Sequence, residues 1–165
     1  MHLVAELRIM KRLILILAVL SAVGLGAAKA QSLIIGERIP DLKITEWLGE
    51  RPDASVKVPS LIVFYRSDSA PCVEALPNLD KIRNGIEKLR IIIVAMEPKE
   101  RIAPSLASYL GNRLHVGIDV SGRAFSVCGI RYVPFSVLVD SRGRALWIGN
   151  PAIVTKEELI KNIEQ

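Results

Sequence analysis

Leu61-Ile62-Val63-Phe64-Tyr65-Arg66-Ser67-Asp68-Ser69-Ala70-Pro71-Cys72 is the stretch that decides the architecture. Its first five residues are unbroken apolar, aromatic and β-branched, the composition of a strand buried on both faces. Arg66 to Ser69 is polar and ends the run. Ser67, Asp68 or Ser69 can cap a following helix, and Pro71 is tolerated there only in the first turn. Val73, Leu76, Leu79, Ile82, Ile86 and Leu89 then recur every three or four residues, which makes one helix face. Pro77 inside that face predicts a kink.

The same alternation continues downstream. Ile91-Ile92-Ile93-Val94-Ala95 reads as a second buried strand, and Pro98 starts a helix that ends near Gly111-Asn112. Leu114 to Val120 reads as a strand and Ser121 to Val127 as a short helix. Phe135 to Val139 is a strand that turns at Ser141-Arg142-Gly143 into Ala145 to Ile148, a hairpin. Thr155-Lys156-Glu157-Glu158 opens the last helix as a capping box. Upstream, Asp41-Leu42-Lys43-Ile44-Thr45 alternates polar and apolar, which predicts a short half-buried strand before the loop at Pro52-Asp53. The order β-α-β-α-β-α-β-β-α predicts an α/β fold. Its central mixed sheet is mostly parallel, with an antiparallel C-terminal hairpin, and helices flank it.

The first thirty residues read as an address. Arg8, Lys11 and Arg12 precede the apolar run Leu13 to Val19, and Ala28-Lys29-Ala30 is the small-x-small pattern of a cleavage site. Residues 1–30 are therefore expected to be a signal peptide cut after Ala30, with 31–165 a single domain in the periplasm or outside the cell. An uncleaved anchor, the alternative, needs roughly 20 apolar residues, and this run is shorter and broken by glycines. The whole chain has a net charge of +5 from 22 basic and 17 acidic residues. Without the leader, 18 basic and 16 acidic residues remain, a net of +2, which argues for neither nucleic acid nor anionic lipid as a partner. Any membrane contact is expected only through an uncleaved leader.

Export implies an oxidising compartment, where cysteines tend to pair. Only Cys72 and Cys128 are present, 56 positions apart. They can pair or stay as thiols, and their spacing does not choose between the two. Cys72 falls in the first turn of a helix that follows a central strand, a position where the helix dipole and outward N–H groups favour an ionised sulfur. An inert buried cysteine is the equal alternative. Ser69 lies three residues earlier on the same side, and capping the helix is the simpler account of it. Cys128 ends a short helix before Gly129, where a structural role is the default. Val133-Pro134 precedes a strand and by composition supports a turn. No spacing of His, Cys, Asp or Glu calls for a metal, and no phosphate-binding or nucleophile-elbow motif calls for a cofactor.

These segments together resemble the thioredoxin-like superfamily, in particular the exported TlpA/ResA-type thiol–disulfide reductases. Gly36-Glu37-Arg38-Ile39-Pro40-Asp41-Leu42 is similar to that branch's opening G-x-x-A-P-D-F. Phe64 to Cys72 is similar to F-W-A-T-W-C-G-P-C, with Pro77 on the family's helix proline. Cys128 to Phe135 is similar to Y-G-V-x-G-x-P-T, and Leu138 to Gly143 to L-I-D-x-x-G. The resemblance implies a three-layer thioredoxin-like fold, protein or small-molecule thiols and disulfides as partners, and a monomer. It implies that Val133-Pro134 is a cis peptide facing the active-site turn Asp68-Ser69-Ala70-Pro71-Cys72, with backbone that docks an extended partner. Cys72 maps onto the shielded second cysteine and Ser69 onto the exposed nucleophile.

The departures fall on the catalytic parts. Serine cannot form a mixed disulfide. Asp68 stands where the family has its active-site tryptophan, and its charge disfavours a nearby thiolate. Three uses follow: a monothiol exchange protein working through Cys72 alone, a thiol-peroxidase-like Ser69-x-x-Cys72 with Cys128 as resolving thiol, or a non-enzymatic peptide-binding or chaperone-like module. Whether the chain is an enzyme is left open by its residues.

Overall fold

The computed structural model describes residues 33–111 and 113–165; the expected leader lies outside them. The elements are β1 (Glu46–Leu48), β2 (Ser60–Tyr65), α1 (Ala70–Gly85), β3 (Arg90–Ala95), α2 (Lys99–Leu106), β4 (Leu114–Ile118), α3 (Arg123–Val127), β5 (Phe135–Val139), β6 (Ala145–Gly149) and α4 (Lys156–Ile163). They build one six-stranded sheet of order β1-β4-β3-β2-β5-β6. All six residues of β2 are buried, as a continuous apolar run at the sheet centre demands.

The sheet is mixed, and its antiparallel part reaches beyond the terminal hairpin. β2, β3 and β4 run parallel, whereas β1 opposes β4, β5 opposes β2, and β6 opposes β5. The link between β4 and β5 carries one short helix, the five residues of α3, about 7.5 Å long at 1.5 Å each. β5 starts at the end of the sheet where β4 finished and runs back, antiparallel to β2.

The strand predicted over Asp41 to Thr45 is not formed; β1 starts at Glu46. Asp41 folds its carboxylate onto the Lys43 backbone N–H at 3.0 Å, and Lys43 sits at φ 49°, a left-handed conformation no strand tolerates. The alternation there reflects Leu42 and Ile44 packing against the sheet as irregular chain.

Two cores lie on opposite faces, set by the period-two alternation of β2. Leu61, Val63 and Tyr65 pack with Leu76, Leu79 and Ile82 of α1, Ile102 and Leu106 of α2, and Leu159 of α4. Ile62 and Phe64 pack with Ala124 and Phe125 of α3. Phe64 and Phe125 meet edge to face at 5.0 Å. α1 continues through Pro77, whose predicted kink does not end it. Arg113 closes the other end of α1, donating to the carbonyls of Ile86 at 2.6 Å and Arg83 at 2.8 Å. These are helix-end acceptors that would otherwise lack partners. Thr155 caps α4 by accepting from the Glu158 N–H at 3.1 Å. The reciprocal arm of the box is absent, because the Glu158 carboxylate accepts from Trp147 Nε1 at 2.8 Å.

Candidate functional site

The stretch from Arg66 to Cys72 leaves the C-terminal end of β2 and enters α1. Ser69 occupies the N-cap position with extended backbone, but its hydroxyl makes no cap bond, contrary to the capping role expected for it. The Ser69 carbonyl accepts instead, from the Cys72 N–H at 2.9 Å and the Val73 N–H at 3.2 Å. The outward N–H group expected to face the sulfur is thus turned inward at Cys72, and Pro71 has none to offer. Cys72 is 1% exposed, packed in the core that holds Tyr65 and Leu76. Ala70, Pro71 and Val73 around it are exposed.

Two anchors hold this turn. Glu97, buried just past β3, accepts from the Ser67 backbone N–H at 2.7 Å and from Ser67 Oγ at 2.6 Å. Arg66 grips Asp68 with two bonds, Nε to Oδ1 at 2.9 Å and NH2 to Oδ2 at 2.5 Å. That bond holds the Asp68 carboxyl below its ordinary range and pushes the Arg66 guanidinium up. Asp68 is therefore a neutralised pair rather than the bare negative charge its position suggested.

Val133-Pro134 is a cis peptide, and Pro134 is buried. Phe135 pairs with Phe64, which sets Pro134 level with Tyr65 at the same sheet end as the turn. Tyr132 beside it is 68% exposed and meets the Phe135 ring edge-on at 5.5 Å. A cavity of about 190 Å³ lies here between Arg66, Met96, Phe125 and Tyr132.

Cys128 sits elsewhere. It caps the end of α3 and belongs to the core on the face opposite Cys72. Both cysteines are free and buried. Burial pushes the Cys128 thiol up to about 11, with a smaller push from Asp119. That carboxylate caps α3, accepting from the Arg123 and Ala124 N–H groups at 3.0 and 2.8 Å.

The fold therefore gathers Asp68, Ser69, Ala70, Pro71, Cys72, Val133 and Pro134 at one end and leaves Cys128 out. Glu97 and Arg66 are the additions. Glu97 reads in sequence as a lone carboxylate near a strand end, and nothing marks Ser67, thirty positions away, as its partner. Among the described residues, no group of three or more His, Cys, Asp or Glu could hold a metal ion. No described helix is long and apolar enough to cross a membrane.

No protein-family model matches the chain, and no curated protein does. Solved structures do. The thioredoxin domain of a thiol-disulfide oxidoreductase from Bacteroides vulgatus superposes with a TM-score of 0.63 at 19% identity, covering 81% of this chain and 97% of that one. A secreted disulfide oxidoreductase of Mycobacterium tuberculosis gives 0.54 at 16% identity, over 67% and 84%. The exposed lipoprotein thioredoxin Etrx1 of Streptococcus pneumoniae gives 0.53 at 17%, over 66% and 85%. The fold is thioredoxin-like. In a thioredoxin-like frame the sulfur of Cys72 lies at the start of the helix after the central strand, and the position three residues earlier holds a hydroxyl.

Proposed function

We propose that the protein is exported, that residues 1–30 are a leader cut after Ala30, and that the domain over 31–165 exchanges disulfides through the single thiol of Cys72. One observation carries this reading. A helix-start cysteine and a cis Val133-Pro134 lie at the same end of a thioredoxin-like sheet. In the exchange step, the Cys72 sulfur attacks one sulfur of a partner disulfide. A mixed disulfide forms, and the other partner sulfur leaves as a thiolate. Ser69 cannot attack that mixed disulfide, so a second thiol, from the partner or a small thiol, must release Cys72. The partner's extended backbone docks along Val133-Pro134. At 1% exposure, Cys72 reacts only when the Arg66 to Pro71 turn opens.

That same burial favours a second reading, a docking module that uses the Pro134 groove without thiol chemistry. The peroxidase-like use loses its resolving thiol, since Cys128 packs on the other face of the sheet. Incubation of the native protein with oxidised glutathione, followed by peptide mass mapping, separates the two. One glutathione on Cys72 at a rate above that of Cys128 supports exchange. An adduct that forms only after unfolding rejects it and leaves the docking module.

A further inference from the structure

The end of the sheet remote from Cys72 has a chemistry of its own. β2 covers six residues from Ser60 to Tyr65, about 20 Å at roughly 3.3 Å each. The turn follows Tyr65, whereas Ser60 pairs with Val139, so the Asp140 to Arg144 hairpin loop lies at the opposite pole. The lead-in is pinned to that loop, with Gly36 N donating to Ala145 O at 2.7 Å and Ile39 N to Gly143 O at 2.9 Å.

Three cations converge there. Arg38, Lys57 and Arg142, with Ser141 and Gly143, line an open cleft of about 570 Å³ that contains no acidic residue. All three are exposed, and none has an ion pair among the described residues. Arg144 beside them is neutralised by Asp140 at 2.9 Å. The cleft shares Arg38 and Arg142 with a groove of about 440 Å³ lined by Ile39, Leu42, Ile44 and Trp47, with Asp41 and Lys43 also on its wall. Ile34 and Ile35, exposed at 51% and 62%, sit a few residues before Arg38.

A cationic rim continuous with an apolar groove matches one chemistry, an anion carried on a hydrocarbon chain. We propose that this pole binds an anionic membrane phospholipid, with its phosphate on Arg38, Lys57 and Arg142 and its acyl segment over Ile39, Leu42, Ile44 and Trp47. The bilayer then lies against the hairpin, and the Cys72 turn faces away from it. The sequence masked this because the net charge of +2 is a sum; folding collects three unpaired cations that lie far apart along the chain. The inference is independent of what Cys72 does.

The test uses the full chain and phosphatidylcholine vesicles with or without phosphatidylglycerol, at about 0.1 M salt. Each surface cation contributes about fivefold to partitioning onto an anionic leaflet. Arg38→Gln, Lys57→Gln and Arg142→Gln together should lower the anionic-to-neutral binding ratio about a hundredfold. The leader is common to both proteins and cancels in the comparison. A matched set on exposed positions elsewhere, Lys81→Gln, Arg131→Gln and Lys161→Gln, should keep most of that ratio. Because the leader can hold the chain on vesicles by itself, amide hydrogen exchange gives the local readout. Anionic vesicles should slow residues 38–44 and 141–143 and leave 66–70 at its solution rate. Equal loss from the two variant sets, or no slowing at 38–44 and 141–143, overturns the proposal. So does slowing of 141–143 by inorganic phosphate alone with residues 39–44 unchanged, which would make the pole a small-anion cleft.

Discussion

Replacing Glu97 by Gln should expose Cys72 without loosening the rest of the molecule. The Glu97 carboxylate accepts two bonds from Ser67, at 2.7 and 2.6 Å, and they tie the turn to the end of β3. Gln has the same volume and can still bond both Ser67 groups, accepting from the N–H and donating to the hydroxyl. What it loses is the charge. Bonds to a charged group contribute about 1.5–3 kcal/mol each and neutral ones about 0.5–1.5, so the two together lose about 2 kcal/mol. If the turn must open before the sulfur reacts, that shift raises the open population about 30-fold, since about 1.4 kcal/mol is a factor of ten. Iodoacetamide labelling of the native protein in low denaturant, followed residue by residue, reads this directly. Cys128 is the internal control: it is equally buried, on the opposite core, and touches nothing in the turn. Cys72 should label about 30-fold faster and Cys128 at its wild-type rate. Equal acceleration at both cysteines would mean global loosening, and no change at Cys72 would mean that Glu97 does not hold the turn. Either result refutes the reasoning.

Ser69→Cys should rebuild a dithiol turn, because the position stands three residues before Cys72 at the start of α1. The oxidised variant should hold one free thiol, Cys128, gain about 2 kcal/mol from closing a four-residue loop, and catalyse insulin reduction that the wild type does not. Two cysteines at 69 and 72 that stay reduced in oxidised glutathione would sink the assignment of the turn. Cys128, with its thiol pushed up to about 11 from an ordinary value of 9.0, gives an alkaline signature. The folded state keeps the proton that the unfolded chain releases near pH 9, so this stabilisation is complete below pH 9 and is lost as pH rises through about 11. Cys128→Ser should flatten the fall of the urea midpoint over that range; a midpoint falling as steeply in the variant would contradict the assignment.

The legible parts of the sequence were those decided by local composition. Leu61 to Tyr65 and Ile91 to Ala95 are apolar without interruption, and no other place in an α/β sheet accepts such runs. The start of α1 and the cap of α4 were legible for the same reason, and of the expected α1 face Leu76, Leu79 and Ile82 are buried, whereas Val73 is exposed and Ile86 and Leu89 lie past the helix end. Asp41 to Thr45 misled because alternation records which side chains are buried, not what the backbone does. One Asp41 carboxylate on the Lys43 N–H was enough to turn the chain. The direction of β5 was not legible, because the link between β4 and β5 is long enough either to cross the sheet or to turn back at one end. Cys72 and Pro134 could be named because motif order carries them. Ser67–Glu97 could not, because a carboxylate thirty positions away finds its partner only after β3 has paired with β2.

The burial of Cys72 weighs less against exchange than it first suggests. On the proposed exchange reading, in which Cys72 takes the trailing place of a two-cysteine turn, a shielded sulfur at position 72 is expected whether or not the protein is active. The cost of uncovering it is the discriminating quantity. Two tethers set that cost. Arg66–Asp68 is half exposed, and such a pair contributes little in water. Ser67–Glu97 is drier at its carboxylate end and charge-assisted, so it dominates. Both tethers lie in the segment next to the Pro134 groove, and Arg66 itself lines the cavity beside Tyr132 and Val133. A partner strand laid along Val133-Pro134 must therefore meet Arg66, and any bond it makes there competes with Asp68. Docking and uncovering are then coupled by geometry, and a partner laid along Val133-Pro134 should raise the rate at which Cys72 reacts with glutathione above its rate in the free protein.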